Sequence, residues 1–241
     1  FLDPACGCGN FLVITYRELR LLEIEVLRAI NKSGQGFLDV SEIIWLDVDM
    51  MGGIEYEEFP ARIAEVAMWL IDHQMNMLIS NEFGQYFARL PLKKSAKIVH
   101  GDALEIDWET VIPKEQLSYI IGNPPFIGSN IMKQNQRNQI VREFENIAGG
   151  GTLDYVTGWY IKSAKYIQNT KIKVAFVSTN SICQGIQVPT LWQLLINTEK
   201  IYIHFAHQTF GWSNEAKGNA AVYCVIIGFA KYDIAKKLLF E

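Results

Sequence analysis

The amino-acid sequence predicts an α/β fold: a doubly wound, mostly parallel, seven-stranded sheet that ends in an antiparallel β-hairpin. Two observations carry this prediction. Apolar residues alternate between strand-like and helix-like periods along the chain, with no internal repeat, low-complexity tract or Pro/Gly/Ser linker, and such alternation marks layered α/β architecture. The last two strand-like runs, residues 201–205 and 221–227, have no helical pattern between them, so they are most simply antiparallel neighbours. With 241 residues, 49% of them hydrophobic, the chain can bury one substantial core, and a single domain over residues 1–241 is expected.

Taken in order, Phe1-Leu2-Asp3-Pro4 reads as the end of a buried first strand whose beginning lies upstream. A helix is expected over residues 11–30, with apolar positions Phe11, Ile14, Leu19, Leu22, Val26 and Ile30, broken over residues 31–36. Ile54-Glu55-Tyr56 is a brief second strand, and Pro60, tolerated in a first helical turn, opens a helix through Ile63, Val66, Met68, Leu70 and Ile71. Residues 97–100 and 117–121 are the third and fourth strands. The fourth stops at Gly122-Asn123-Pro124-Pro125, because proline cannot donate to a ladder. Helical patterns over 132–147 and 154–167 lead to a fifth strand at 174–178, and a further helix over 190–196 precedes the hairpin.

The formal charge of −4 argues against this chain gripping a nucleic-acid backbone unaided, since phosphate neutralisation needs several Lys or Arg on one surface. The cysteines are Cys6, Cys8, Cys183 and Cys224; the close pair is C-x-C, without the second pair of a zinc site, and alternate residues of a tight turn are badly placed for a disulfide. His73, His100, His204 and His207 show no metal-ligand spacing, so no metal is expected. No apolar run reaches ~18 residues and no leader opens the chain, so neither a membrane span nor a signal peptide is expected, and the location follows as cytoplasmic.

Three sites carry chemistry. In Asp3-Pro4-Ala5-Cys6-Gly7-Cys8-Gly9-Asn10-Phe11, two glycines stand between a strand and a helix, where they permit a tight turn and the approach of a ligand to the main chain beside a helix N-terminus. An ordinary strand-to-helix turn is the plain alternative; a dinucleotide site is disfavoured by the missing third glycine. Glu55 and Asp102 stand at the ends of the second and third strands, where one carboxylate can accept ribose hydroxyls and the other an adenine amino group. Taken singly, Glu55 also reads as part of a solvated acidic turn with Glu57 and Glu58, and Asp102 as a helix N-cap. Asn123-Pro124-Pro125-Phe126 is the most specific string. A base amine has its lone pair delocalised into the ring, so a methyl acceptor of that kind needs hydrogen-bond acceptors that hold its nitrogen in line and favour its pyramidal form. Asn123 supplies a side-chain carbonyl, Pro124 a main-chain carbonyl held stiff by two prolines, and Phe126 a face for a flipped-out base.

In this order, D-P-A-C-G-x-G-N-F, an acid after strand two, G-D-A-L after strand three and N-P-P-F after strand four, the sequence resembles the amino-group DNA methyltransferases. The strings from Gly53 to Leu70, Leu153-Asp154-Tyr155, Ser178 to Gly185 and His204 to Ala216 resemble more narrowly the MmeI-like type IIG restriction–modification enzymes, and the likeness runs over essentially the whole chain. It implies the Rossmann-like fold of class I methyltransferases that use S-adenosylmethionine (SAM). It also implies a cofactor site at Asp3, Ala5, Gly7, Gly9, Asn10 and Phe11, with Asp3 near the ammonium group, and at Glu55, Asp102 and Ala103 for ribose and adenine. Asn123, Pro124, Pro125 and Phe126 would hold the target base, and Phe210 or Trp212 would pack on its other side, ordinary hairpin packing being the alternative for those two. The implied reaction is methylation of the exocyclic amine of adenine in DNA. Double-stranded DNA would be gripped through a target-recognition domain downstream, with a SAM-binding helix upstream, neither of them within these residues.

Cys8 stands where the family more often has serine, and Cys183 lacks the preceding proline of a cytosine carbon-5 nucleophile. Methylation of cytosine's exocyclic amine, of protein glutamine or of RNA are the alternative reactions. A non-catalytic assembly subunit is disfavoured by the intact acids and N-P-P-F string.

Overall fold

The computed structural model describes residues 1–32, 42–84, 87, 94–145, 149–212 and 222–241. Their contacts divide them into two units, Phe1–Ala103 and Leu104–Glu241.

In the first unit, β1 (Leu2–Asp3), β2 (Gly52–Glu55) and β3 (Lys97–His100) pair in parallel with β2 in the middle, Leu2 opposite Gly52 and Glu55 opposite His100. Parallel neighbours require a crossover, and α1 (Asn10–Lys32) and α2 (Glu58–Phe83) supply the two connections. α1 forms where helical spacing predicts it, but on a different face. The buried stripe is Leu12, Tyr16, Arg20, Ile24 and Leu27, whereas Ile14, Leu22 and Val26 are about half exposed. Arg20 can occupy a buried position because its guanidinium meets the Tyr16 hydroxyl and, at 2.6 Å, Glu23 Oε2; Tyr16 in turn donates to Asp72 Oδ1 at 2.6 Å. α2 starts at Glu58, with Pro60 inside its first turn, and buries Ala61, Ala64, Met68, Ile71 and Met75 while Val66 and Leu70 face outward. Leu12, Tyr16, Val48, Met51, Ala64, Met68 and Ile71 form the core between these helices and strands, each large side chain contributing about 1.5–3 kcal/mol on burial. The predicted helix break begins at Asn31; α1 runs through Lys32, and residues 33–36 lie outside the described residues.

In the second unit the order is β4 (Tyr119–Gly122), β5 (Lys173–Thr179), β7 (Val222–Ala230), β6 (Tyr202–Trp212) and β8 (Leu238–Phe240). β4 and β5 are parallel, with α3 (Gln134–Glu143) and α4 (Thr157–Tyr166) between them in sequence. The hairpin of β6 and β7 is antiparallel as predicted, but β7 inserts between β5 and β6 and runs against both. The mostly parallel α/β class holds. The strand count does not: eight strands replace seven, because β8 pairs in parallel with residues 205–207 of β6. Its three residues are exposed and too few to show a period. The helix expected over 190–196 is wound wide, as the π-helical turns Val188–Trp192 and Leu194–Thr198. Residues 146–147 of the pattern after Met132, residues 213–216 of the last resembling string and the predicted strand start at Ala221 lie outside the described residues. Tyr160 of α4 centres this unit's core, its ring 5.4–5.9 Å from those of Phe176, Trp192 and Phe229 and its hydroxyl 2.7 Å from Ser178 Oγ. Among the described residues no helix is long and apolar enough to cross a membrane.

Candidate active site

In the first unit the chain leaves β1 at Asp3 and must reverse before α1 begins at Asn10. The turn is pinned by Cys6 N–H donating to the Ile54 carbonyl at 3.1 Å and Gly9 N–H to the Cys6 carbonyl at 2.8 Å. Gly7 and Gly9 adopt φ of +54° and +86°, a region that L side chains enter only with strain. The two glycines have different second reasons. A Cβ on Gly9 would sit 3.2 Å from the Ala64 Cβ, so this glycine lets α2 pack close, whereas a Cβ on Gly7 would meet no atom within 4 Å, so the main chain there is open to approach. Asn10 is exposed and Phe11 half-buried in the first turn of α1, where backbone N–H groups lack intrahelical partners.

Glu55, the last residue of β2, reaches back to this turn. Its Oε2 accepts the Gly7 N–H at 2.8 Å, its Oε1 accepts the Glu57 N–H at 2.9 Å, and its carbonyl accepts the Gly101 N–H at 2.8 Å. A carboxylate offers about four lone-pair directions, so each oxygen keeps capacity for a hydroxyl donor. Asp3 is 1% exposed. Its Oδ1 accepts the Ala5 N–H at 3.0 Å, while Oδ2 is buried without a partner among the described residues. Burial pushes the Asp3 pKa up to about 7, with the Ala5 N–H opposing the rise and the Glu55 charge adding to it. A buried, unmatched acid oxygen beside a second acid fits a cationic group, and SAM carries an ammonium. Asp102, half-buried, follows β3, and Ala103 beside it is buried. The turn and the acids after β2 and β3 thus belong to one unit, all at strand carboxyl ends, where open α/β sheets bind nucleotides.

In the second unit Asn123 leaves the end of β4 with its Oδ1 buried and, among the described residues, without a hydrogen-bond partner. Such an acceptor costs about 1–3 kcal/mol to leave unmet, so it is suited to receive a donor from outside the fold. Pro124 is buried, Pro125 exposed and Phe126 half-buried, and Ile127 N–H closes back on the Pro125 carbonyl at 3.2 Å. Phe210 and Trp212 share one strand near the end of β6 and lie with ring centroids 6.1 Å apart; His207 meets Phe210 edge-on at 5.1 Å. Among the described residues these two rings pack on each other.

Neither flanking cysteine is primed as a nucleophile: burial pushes the thiols of Cys6 and Cys183 up, away from the reactive thiolate. Among the described residues no group of His, Cys, Asp and Glu is placed to hold a metal ion. Asp154, Ser129 and Ser181 carry hydrogen bonds around the N-P-P-F turn that spacing alone did not reveal; the only signal was that Asp154 and Ser181 fall in strings resembling the family.

Parallel strands joined by helices and closed by an antiparallel pair make a mostly parallel, Rossmann-like α/β fold. The structure of a Listeria monocytogenes chain described by its homology as a class I S-adenosylmethionine-dependent methyltransferase matches with a TM-score of 0.54 at 15% identity, covering 99% of this chain and 56% of that one, a likeness of fold alone. The family is narrower: residues 1–241 match the family described as MmeI, DNA-methyltransferase domain, and the chain belongs to it. DNA methyltransferase A of Bacillus subtilis (strain 168) is 39% identical over 236 residues, 97% of this chain and 26% of that protein. The structure of the type IIL restriction–modification enzyme MmeI in complex with DNA matches with a TM-score of 0.92 at 56% identity, over 99% of this chain and 32% of that one. The chain therefore spans about a quarter to a third of these relatives.

Proposed function

We propose that this chain is the catalytic part of a restriction–modification DNA methyltransferase that uses SAM and methylates the exocyclic amine of adenine in DNA. The observation that carries the reading is the Asn123 Oδ1 at the end of β4, buried and unpartnered among the described residues, in a turn whose next residues are Pro124, Pro125 and Phe126. Two acceptors and an aromatic face suit a planar amine gripped by edge and face. Asn123 and Pro124 accept from the amine hydrogens, which draws electron density onto the nitrogen and favours its pyramidal form. Phe126 fixes the ring plane. In the first unit, Glu55 and Asp102 are suited to the ribose and adenine of SAM, Asp3 to its ammonium, and the open main chain at Gly7 to close approach. When bound, SAM supplies a methyl group on a sulfonium, the electrophile that a delocalised amine requires.

Adenine is preferred over cytosine on the motif order and the MmeI-like resemblance. Domains beyond these residues would grip duplex DNA, in keeping with the chain's share of its relatives and its charge of −4. A cytoplasmic setting goes with a DNA substrate. Mass spectrometry of nucleosides from DNA treated with the complete polypeptide and SAM is expected to find methyl on the adenine amine. Methyl on cytosine would overturn the base assignment, and methyl on no base would overturn the activity.

A further inference from the structure

The Asp154 side chain is buried, at 7% exposure, just before α4. A carboxylate in that position commonly caps the following helix. Here it does not: the α4 N-cap is Val156, with no side-chain hydrogen bond. The two Asp154 oxygens go to two other segments instead. Oδ1 accepts the Ser129 N–H at 2.9 Å, and Oδ2 accepts the Ser181 hydroxyl at 2.5 Å, with Thr179 Oγ1 a further 2.7 Å from Ser181 Oγ. Beside it, Tyr155 N–H donates to the Ile127 carbonyl at 2.9 Å, and Asp154 N–H to Gln187 Oε1 at 3.3 Å. Residues 127–129, which follow Phe126 directly, are thus held by two bonds from Asp154 and Tyr155. The same carboxylate is anchored to the turn that leaves β5, the parallel neighbour of β4. Two strings singled out in the sequence, around Asp154 and around Ser181, meet at one buried carboxylate.

We propose that Asp154 is the positioning residue of the acceptor turn: by tying residues 127–129 to the turn after β5, it sets where Phe126 and the carbonyls of Asn123 and Pro124 stand when the base arrives. The proposal rests on the acceptor reading given above. A flipped base must be held close to its reactive geometry, and a displacement of ~1 Å can cost about a hundredfold in rate. A loop held at one end by a buried, charge-assisted acceptor and at the other by the Tyr155 N–H keeps that geometry without touching the base.

The test uses the complete enzyme, a duplex bearing 2-aminopurine in place of the methylated base for the fluorescence readout, and the natural duplex for rates. Asp154→Ala is expected to lower the single-turnover methylation rate roughly 10- to 100-fold and to change the 2-aminopurine signal, with the SAM dissociation constant moving by less than about twofold. Asp154→Asn should restore most of the rate, because its amide oxygen can still accept from Ser129 and its NH2 can donate to Ser181. Ser181→Ala removes one tether from a partly exposed position and keeps the test open if Asp154→Ala fails to fold; it is expected to lose about 3- to 10-fold and to be non-additive with Asp154→Ala. Folded Ser181→Ala or Asp154→Ala enzyme with wild-type rate and fluorescence would overturn the proposal, as would an Asn variant no better than Ala. A wild-type enzyme that methylates no base overturns the acceptor reading itself, and the positioning role with it.

Discussion

Gly7 and Glu55, 48 residues apart, are joined by a hydrogen bond of 2.8 Å from the glycine N–H to the carboxylate. The bond shapes the turn after β1 and aims the acid at the end of β2 in one stroke. Replacing Glu55 with Ala removes both the turn's anchor and the expected acceptor for ribose. Charge-assisted hydrogen bonds are worth about 1.5–3 kcal/mol, so SAM affinity, measured by calorimetry on the complete polypeptide, should fall by roughly 10- to 150-fold. Unchanged affinity would remove Glu55 from the cofactor site.

Asp3 would give the proposed cofactor site a pH dependence. Its folded pKa of about 7 lies above the ordinary carboxylate value of 3.8 because burial disfavours the charge. The stability associated with its protonation is therefore fully present below about pH 4 and is lost as pH rises through about 7. Denaturation curves between pH 4 and 8 should show this decline, and Asp3→Asn should flatten it. A cationic ligand pulls the other way: SAM binding should strengthen as Asp3 ionises, and below about pH 7 it should release a proton. Calorimetry in buffers of different ionisation heats reads that proton directly, and binding without release would remove Asp3 from the ammonium site.

Asn123→Ala takes away the side-chain acceptor and leaves the Pro124 carbonyl and Phe126 in place. Losing one preorganised transition-state contact lowers rates by about 10²–10³, and the single-turnover rate should drop by that amount with SAM binding held within about twofold. A rise in KM for DNA with the single-turnover rate unchanged would make Asn123 a ground-state contact only.

The 241-residue chain by itself carries a net charge of −4. Gel shift at physiological salt should find negligible sequence-specific binding to duplex DNA, since phosphate neutralisation dominates affinity. Nanomolar, sequence-selective binding would move recognition into these residues.

Element types were largely legible because periodicity is local, but the buried faces were less so. α1 carries leucine, isoleucine and valine on more than one side, and the stripe it buries includes Arg20, whose place depends on Tyr16, Glu23 and Asp72 rather than on hydrophobicity. The glycine turn and the proline string were legible because their backbones demand particular residues. The Glu55–Gly7 and Asp154–Ser129 bonds were not, since tertiary hydrogen bonds over 25 or more residues leave no period in the sequence. β8 escaped because three exposed residues make no pattern. The different duties of Gly7 and Gly9 emerged only from the position of Ala64 on α2.

The unmatched oxygen of Asn123 sets folding against turnover. On the proposed reading, burying it without a donor would weaken the ligand-free fold by about 1–3 kcal/mol, and an amine hydrogen reaching it would recover that cost. Ligand-free protein lacking that oxygen should melt a few degrees higher than the parent, and the parent should gain more thermal stability from a bound acceptor than the variant does. Selection for hardiness alone would erase this asparagine; on the proposed reading, the turn is tuned for a visitor rather than for rest.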